Sequence, residues 1–360
     1  MKVLWFANTP CSAAEKLGSN ITSGGWLKSL EQELKNISEV ELAVCFYYYK
    51  RVSPFVFENV QYFPIFKDRK RNIIRRILKN NINYKNFYSN NDMELKEIIN
   101  AIKTFNPDVI HIHGTEENFG LVQKYTAIPI VISIQGILSS IMMKMYSGIP
   151  YEIKNKYGEM QQYIKEKVSR YLYSNINQVI EREQKILEHA LYIIGRTDWD
   201  RRITRVLANK SQYFQANEIL RESFYHDKWN KKMFGFPIQI VTIINDALYK
   251  GLETIVDVAL LLNKQTNINF FWKVIGINNN SKTTKIVKKW KKVNFNEINI
   301  NIIGELSENE IKEILINSDL YCQTSHIENS SNSLCEAMLL GMPIVATNAG
   351  GSSSILKDKE

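Results

Sequence analysis

Strand-like apolar runs alternate with helical patterns along almost the whole chain, and this alternation limits the fold more than any other feature. The runs are nearly continuous in apolar residues, which is typical of parallel strands buried on both faces. The first series is Val3–Ala7, Leu42–Tyr48, Val109–His113, Ile130–Ile134 and Tyr192–Gly195, and the second is Ile238–Ile244, Phe270–Ile275, Ile298–Ile303, Leu320–Gln323 and Ile344–Thr347. Helical patterns such as Trp26–Leu34 and Gly251–Leu262 separate these runs. The pattern predicts an α/β fold with two parallel, doubly wound sheets.

The two series are separated by a polar, aromatic stretch at residues 222–236, which has no regular period and ends at Pro237. A chain of 360 residues also exceeds the size at which a single core usually stops growing. We therefore predict two domains, at residues 1–228 and 229–360, with the long charged helical patterns of 151–190 attached to the first. Ligands of doubly wound sheets bind at the carboxyl ends of the strands, so the residues that follow each strand are the informative ones.

The composition is ordinary for a soluble globular protein, with 44% hydrophobic and 23% charged residues. Four cysteines are present without CxxC spacing, which argues against a zinc site or a disulfide framework and suits a reducing cytoplasm. The apolar run at the amino terminus is too short for a signal peptide, and no stretch offers the ~20 apolar residues that a membrane span needs. These observations predict a cytoplasmic protein with no metal site.

The net charge of +9 favours anionic partners, and seven basic residues with one acidic residue are concentrated in 67–79. Ile73, Ile74, Ile77 and Leu78 form an apolar stripe in this region. Two interpretations of residues 67–80 stay open: a segment that lies on an anionic membrane surface, and a surface helix that packs its stripe on the domain. The sequence contains no aromatic RNA motif or zinc finger, so we predict no nucleic-acid partner.

The most informative segment, residues 325–343, follows the predicted strand Leu320–Gln323. Seven residues separate Glu328, in a predicted loop, from Glu336, in the next predicted helix. Ser333 is predicted to cap this helix, with Glu336 closing a capping box. The free N–H groups of the helix start would then suit a diphosphate, and the two carboxylates would accept hydrogen bonds from hydroxyl groups. Taken singly, Glu336 is better explained as a capping residue only and Glu328 as a solvated loop acid only, so the functional interpretation depends on both occurring within the whole segment.

The whole segment resembles the E-x7-E signature of retaining glycosyltransferases of family four, and residues 338–343 resemble the end of the helix that carries it. The resemblance implies the GT-B fold, in which two Rossmann-like domains face each other across a cleft. It also implies that Glu336 holds the ribose of a nucleotide-sugar donor and that Glu328, the expected catalytic residue, faces the transferred sugar. The amides around Ser333 and Leu334 would hold the donor diphosphate.

Two further elements are similar to this family. Lys250 and Gly251 resemble its K-G element, whose lysine contacts the donor phosphates, although Asn245, Asp246 and Ala247 stand where the family usually carries an arginine. Gly24 and Gly25 resemble the glycine pair that lets the backbone of the first domain approach the donor.

Three polar residues stand at the end of a first-domain strand or directly after one, and they are candidates for lining the cleft. His113 is on the same strand face as His111, and an ordinary histidine beside a loop explains it equally well. Gln135 stands where the family often has a histidine, and it cannot serve as a general base. Arg196 is suited to bind an anionic group, but it could also pair with Asp198 or Asp200.

The resemblance implies a retaining glycosyltransferase of surface polysaccharide synthesis that moves a sugar from a nucleoside diphosphate donor to a glycan or lipid-linked acceptor. It implies no cofactor beyond the nucleotide sugar, which is a co-substrate, and it leaves peripheral attachment to the inner membrane face open. Family members continue past Gly350-Gly351, so a truncated carboxyl-terminal domain is expected. The alternatives are a sugar-nucleotide epimerase on the same fold and a decayed, non-catalytic transferase.

Overall fold

The computed structural model describes residues 1–18, 25–67, 93–150, 152–153, 177–231, 235–265 and 268–358. The chain divides into two compact units. The first unit is Met1–Ser139 with Glu166–Ile219, and the second unit is Ser140–Lys165 with Leu220–Glu360. Gly24 and residues 68–80 of the basic segment lie outside the described residues. No helix within the described ranges is long and apolar enough to cross a bilayer.

The first unit contains a sheet whose described strands run in the order β3-β4-β2-β1-β5-β6-β7-β8. The strands are β1 Lys2–Ala7, β2 Glu41–Tyr48, β3 Phe55–Phe57, β4 Val60–Phe66, β5 Val109–His113, β6 Ile130–Ser133, β7 Tyr192–Gly195 and β8 Gln212–Gln215. All neighbours pair in parallel except β3 and β4, which are antiparallel. Trp5 and Phe6 of the central β1 are fully buried, one in the core on each face of the sheet.

The helices of the first unit cover this sheet with apolar stripes. They are α1 Ala13–Lys16, α2 Gly25–Lys35, α3 Met93–Phe105, α4 Leu138–Lys144, which ends beyond the division between the units, a helix at residues 177–188, and α5 Asp198–Leu207. The start of α5 is fixed by a capping box, in which the Thr197 side chain accepts from the Asp200 N–H and Asp200 accepts from the Thr197 N–H.

The second unit contains a parallel sheet whose described strands run in the order β11-β10-β9-β12-β13. These strands are β9 Ile238–Ile243, β10 Phe270–Ile275, β11 Ile300–Gly304, β12 Leu320–Gln323 and β13 Ile344–Ala346. The helices are α6 Leu252–Gln265, α7 Lys282–Lys291, α8 Glu308–Asn317, α9 Asn332–Leu340 and α10 Ser352–Ile355. The chain moves outward from β9 to β11 and then returns to the other side of β9. The strand order therefore reverses between β9 and β12, and doubly wound sheets bind ligands beyond such a reversal.

Residues 140–150, 152 and 153 belong to the second unit. The sequence predicted that residues 151–190 are attached to the first domain; of the described residues in that range, 152 and 153 lie in the second unit and 177–190 lie in the first. Ile149 is buried in the core with Ile240 and Ile255, and Tyr146 and Ile153 pack against the same core.

Candidate functional site

Two loops of the second unit meet where the strand order reverses. The loop after β9 forms a short 3₁₀ turn at Leu248–Lys250, and the loop after β12 begins at Thr324. The N–H of His326 donates to the Tyr249 carbonyl oxygen at 2.7 Å, and the Thr324 hydroxyl donates to the Lys250 carbonyl oxygen at 3.0 Å. These bonds hold the two backbones in direct contact.

Lys250 and Glu328 form an ion pair across these loops. The side chains of Lys250 and Glu328 are only 17% and 11% exposed, so water screens the pair weakly. The Ser325 hydroxyl donates to Glu328 Oε1 at 2.7 Å, which fixes the orientation of the carboxylate. The Gly351 N–H donates to the Glu328 carbonyl oxygen at 2.9 Å. Two of the residues predicted for the donor site are therefore in contact.

The helix α9 begins two residues earlier than the sequence predicted. Its N-cap is Ser331, which has extended backbone angles, and the Ser331 hydroxyl accepts from the Leu334 N–H at 3.5 Å. The expected cap, Ser333, lies inside the first turn, where its hydroxyl accepts from Tyr321 at 2.8 Å. The predicted capping box is therefore wrong, because Glu336 lies in the second turn. Early N–H groups of a helix lack intrahelical partners, so the start of α9 keeps its attraction for anions.

Glu336 is buried and paired with Arg221. The Arg221 guanidinium donates from Nε to Oε1 at 2.6 Å and from Nη2 to Oε2 at 2.7 Å, which is a bidentate arrangement. The Glu336 side chain is 4% exposed. Burial raises the pKa of Glu336 above its ordinary value, and the hydrogen bonds and charge of Arg221 oppose that rise. The sequence did not suggest this pair, because its members are 115 residues apart.

Asp246 occupies the position after β9 where the resemblance called for an arginine, and it has a structural partner. Its two carboxylate oxygens accept from the N–H groups of Lys282 and Thr283 at 2.9 and 2.8 Å, at the start of α7. Burial alone would raise the pKa of Asp246, but these N–H groups and the charge of Lys282 hold it below its ordinary value. Asp246 therefore anchors the next helix of the sheet.

A second polar contact involves the loop that carries Glu328. His326 Nε2 contacts Glu253 Oε1 in the first turn of α6. Gly148 has φ of +81°, and a Cβ at this position would overlap the Glu253 carboxylate and the His326 ring. The turn at Gly148 therefore packs directly on this pair. This contact connects residues 140–150 with the Glu328 loop.

The three polar candidates of the first unit lie close together. The Trp26 ring is 5.7 Å from the His113 ring and 5.0 Å from the Arg196 guanidinium carbon. The Arg196 guanidinium pairs with Glu218 and donates to Gln135 Oε1 at 3.0 Å. The backbone N–H of Arg196 donates to Asp200 at 3.0 Å. Of the glycine pair, Gly25 is the first residue of α2, in the same unit.

The two histidines of β5 share one face, as the alternation predicted, with ring centroids 4.0 Å apart. His113 is 2% exposed, and neither ring nitrogen has a hydrogen-bond partner among the described residues. Burial lowers the pKa of His111 to about 4. Burial, then His111 and Arg196, hold the pKa of His113 well below its ordinary value. Both rings are therefore neutral at pH 7.

Within the described ranges, no three His, Cys, Asp or Glu side chains are arranged to hold a metal ion. The expectation that no metal is required stays a prediction.

One part of the chain matches a known protein family. Residues 227–360 match the family model described as Glycosyl transferases group 1. The matched range contains Lys250, Glu328, Ser333, Leu334 and Glu336, whereas Arg221 precedes it. The second unit therefore carries a glycosyltransferase group 1 domain. No curated protein sequence matches the chain.

Solved structures similar to this chain include several glycosyltransferases. Sucrose-phosphate synthase from Thermosynechococcus elongatus has a TM-score of 0.62 at 10% identity, over 98% of this chain and 82% of that chain. A glycosyltransferase from Rickettsia africae has a TM-score of 0.57 at 14% identity, over 99% of this chain and 82% of that chain. HepE from Anabaena, in complex with UDP and glucose, has a TM-score of 0.57 at 14% identity, over 99% of this chain and 83% of that chain.

At these identities the likeness concerns the fold, and it confirms the predicted class, an α/β protein with two Rossmann-like domains of the GT-B type. Together with the matched domain it supports a glycosyltransferase. The pairing of Arg221 with Glu336, the Ser331 cap and the pair of Glu253 and His326 were not predicted from the sequence. The segment Asn217–Arg221 resembles an element of the family's bacterial polysaccharide transferases, but this resemblance gives Arg221 no role.

Proposed function

We propose that this chain is a retaining glycosyltransferase of family four, which moves a hexose or related sugar from a nucleoside diphosphate donor to a glycan or lipid-linked acceptor. Surface polysaccharide synthesis is the proposed setting. The observation that carries the proposal is the arrangement at the reversal of strand order: the Lys250–Glu328 pair, the start of α9 and the buried Glu336 all belong to one end of one sheet.

Each part of this arrangement matches one part of a nucleotide sugar. A diphosphate is suited to the start of α9, because helix N-termini attract anions, and to the ammonium group of Lys250. An ionised carboxylate accepts strong hydrogen bonds from hydroxyl groups, so Glu336 is suited to the ribose. The complex of HepE with UDP and glucose supports a donor of this chemical class.

In the proposed reaction, the bond from the anomeric carbon to the leaving phosphate breaks, and a bond to the acceptor oxygen forms on the same face of the sugar. Glu328, oriented by Ser325, offsets the positive charge that develops on the sugar ring. Lys250 is shared between Glu328 and the phosphates. The leaving phosphate oxygen takes the proton of the acceptor hydroxyl, since Gln135 cannot act as a base.

Nucleotide binding tests this proposal. Thermal melting is measured with UDP, GDP, ADP and dTDP and their sugar conjugates, on the wild type and on Lys250→Met and Glu336→Gln. A ligand that binds only the folded state raises the melting temperature by mass action. We expect a shift with one nucleotide series that both variants lose and that Lys264→Met, a change at an exposed lysine of α6, retains. A folded wild type that responds to no nucleotide would contradict a donor site.

Turnover tests the assigned chemistry. Glu328→Gln is expected to lower kcat by about 10²–10³-fold, the usual size for the loss of one preorganised electrostatic group, while the exposed Glu305→Gln keeps it. The anomeric configuration of the first product, read by NMR, should match that of the donor. Inversion would refute the retaining mechanism, and conversion of the donor sugar without an acceptor would instead indicate an epimerase.

A further inference from the structure

A cavity of about 320 Å³ opens in the first unit beside the second half of β4. Its walls come from the loop after β2, from β4 itself and from one face of α3. Four polar side chains line it, those of Arg51, Ser53, Glu97 and Asn100, and the other described lining residues are apolar. The volume is at the lower end of the range for small-molecule sites, and none of these residues belongs to the proposed donor site.

The cavity exists because β3 is shorter than the strand beside it. β3 pairs with Val60–Tyr62 only, so the rest of β4 has β2 on one side and no described strand on the other. The Lys67 N–H donates to the Tyr48 carbonyl oxygen at 2.8 Å, and alternate residues of a parallel strand bond to opposite sides. The Pro64 carbonyl oxygen therefore faces the open side, where water or a ligand must satisfy it.

Two charged side chains at the cavity wall keep hydrogen-bonding capacity. Glu97 Oε2 accepts from the Phe66 N–H at 2.9 Å, which fixes the carboxylate in place. The Arg51 guanidinium carbon lies 4.5 Å from the ring centroid of Phe66, and Arg51 Nη1 is 3.5 Å from Glu97 Oε1. Because that distance exceeds the usual hydrogen-bond length, Glu97 Oε1 and the Arg51 donors remain able to bind a ligand. Asn100 lies on the same face of α3 as Glu97, three residues further along.

The lining favours a neutral sugar over other small molecules. One cation and one anion cancel, so a charged ligand gains no net attraction, and the Glu97 carboxylate repels phosphate. Arg51 supplies donors, Glu97 supplies acceptors and Asn100 supplies both, which suits hydroxyl groups because each donates one hydrogen bond and accepts two. The apolar part of the lining, which includes Phe63, suits the C–H face of a sugar ring. An acyl chain would instead leave the polar groups buried without partners.

We propose that this cavity binds a neutral sugar unit of the glycan acceptor, at a distance from the unit that reacts. This inference rests on the proposed function, which supplies the glycan as the ligand class. The strand order places β4 three positions from β5, and neighbouring strands are about 4.8 Å apart, so the cavity is roughly 14 Å from the strand that carries His113. One sugar ring cannot reach both places, whereas a chain of several rings can.

Saturation-transfer NMR tests the cavity with linear tetrasaccharides of glucose, galactose, mannose and N-acetylglucosamine, on the full chain. We expect at least one tetrasaccharide to bind. Arg51→Ala and Asn100→Ala, changes at exposed side chains, should each raise its Kd about threefold to tenfold, the usual size for the loss of one hydrogen bond. Lys103→Ala and Thr104→Ala, at exposed positions of α3 outside the cavity, should keep the wild-type Kd. Glu336→Gln should also keep it, because it alters only the donor site.

The outcomes separate this inference from the proposed function. If no tetrasaccharide binds, or if the folded cavity variants bind it as the two α3 controls do, the inference is wrong and the donor site stands on its own nucleotide test. If Glu336→Gln loses the tetrasaccharide, the sugar binds in the donor site and the inference is wrong. It is also wrong if the cavity variants weaken UDP, GDP or ADP and not the tetrasaccharide. A wild type that binds no nucleotide but shows the expected tetrasaccharide results would contradict the donor site alone.

Discussion

At the scale of single residues, two glycines decide how closely the loops of the candidate site approach. Gly251 has φ of +76°, and a Cβ there would overlap the carbonyl oxygen of Thr324. Gly350 has φ of +56°, and a Cβ there would overlap the carbonyl oxygen of Glu328. In both places a backbone carbonyl occupies the space of a side chain. The Glu328 loop therefore depends on Gly251 for its contact with the Lys250 loop and on Gly350 for its contact with the segment after β13.

Gly251→Ala should therefore lower stability more than its backbone angle alone explains. Gly341, which ends α9, has φ of +78° but no heavy atom within 4 Å of its Cβ position, so Gly341→Ala is a matched control. We expect Gly341→Ala to cost about 1–2 kcal/mol for the left-handed conformation. Gly251→Ala should cost about 1–3 kcal/mol more, because the Thr324 backbone must move. Urea denaturation measures both, and equal costs would contradict the close approach.

The buried histidines of β5 should make the protein sensitive to mild acid. Both side chains titrate below the ordinary histidine value near 6.5 when folded, His111 at a pKa of about 4. Below pH 6.5 the unfolded chain binds more protons than the folded chain, so the free energy of unfolding falls as the pH falls toward 4. Replacement of His113 by Phe should reduce this slope by up to about 1.4 kcal/mol per pH unit.

Urea denaturation at pH 7, 6 and 5 measures the slope for the wild type and His113→Phe. His189 is exposed, so His189→Gln serves as the control and should keep the wild-type dependence. Parallel curves for the wild type and His113→Phe would show that His113 is not the acid-sensitive group.

The sequence could predict residues whose role follows from their neighbours in the chain, and not those whose partners are remote. The shared face of His111 and His113 follows from strand alternation alone. The contact of Lys250 with Glu328 follows from a family resemblance that assigns both to one ligand. The pair of Arg221 and Glu336 has no local signal, because only the folded sheet brings those two positions together.

At the scale of elements, the central strands were predicted well and the edges were not. Val109–His113, Phe270–Ile275 and Leu320–Gln323 agree with the structure to the residue, because buried parallel strands are continuous apolar runs. The strand β4 was missed because Pro64 interrupts its apolar pattern. Pro64 pairs with β2 on one side, and β3 does not extend to Pro64 on the other side, so the missing N–H is tolerated. The polar β8 was missed because an edge strand needs no apolar run.

The start of α7 depends on a residue from another element. Asp246→Ala should lower the free energy of unfolding by about 1 kcal/mol, the usual cost of removing a helix cap. Because the pKa of Asp246 is held low, the contribution is present above the ordinary aspartate range and disappears as the pH falls through the lower, folded value. Urea denaturation at pH 7 and hydrogen exchange of the amides near Thr283 measure the effect.

Asp257 provides the comparison for this prediction. It pairs with Lys291 at the other end of α7 and is half exposed, so Asp257→Ala removes a surface ion pair and no cap. Its cost should be at most about 0.5 kcal/mol. If Asp246→Ala costs no more than Asp257→Ala, Asp246 does not anchor the helix.

At the scale of the whole molecule, the residues proposed for the donor diphosphate and ribose fall almost entirely in the second unit. Lys250, Glu328 and Glu336 belong to it, and Arg221 lies two residues after the first unit ends. The histidines, Gln135 and Arg196 belong to the first unit. Under the proposed function, nucleotide binding would therefore belong to the second unit, and the polar cluster of the first unit would serve a different part of the reaction.

A nucleoside diphosphate should accordingly slow hydrogen exchange in one unit in particular. With the diphosphate that raises the melting temperature most, protection is expected around Tyr249–Leu252 and His326–Leu340, because bound ligand suppresses local opening. Peptides from β2 should be unchanged, and the corresponding nucleoside, which lacks phosphate, should protect less around Lys250. Mass spectrometry resolves these segments. Protection confined to the first unit would contradict the assignment.

Because the second unit is built from two separated stretches of chain, translation delays its completion. Ile149 emerges from the ribosome 91 residues before Ile240, its partner in the same core. At about 5–20 residues per second, this interval lasts roughly 5–18 s. During that time the nascent chain carries Tyr146, Ile149 and Ile153 without the sheet that will cover them. A chaperone that binds short apolar segments would have its opportunity here, before the second sheet has been synthesised.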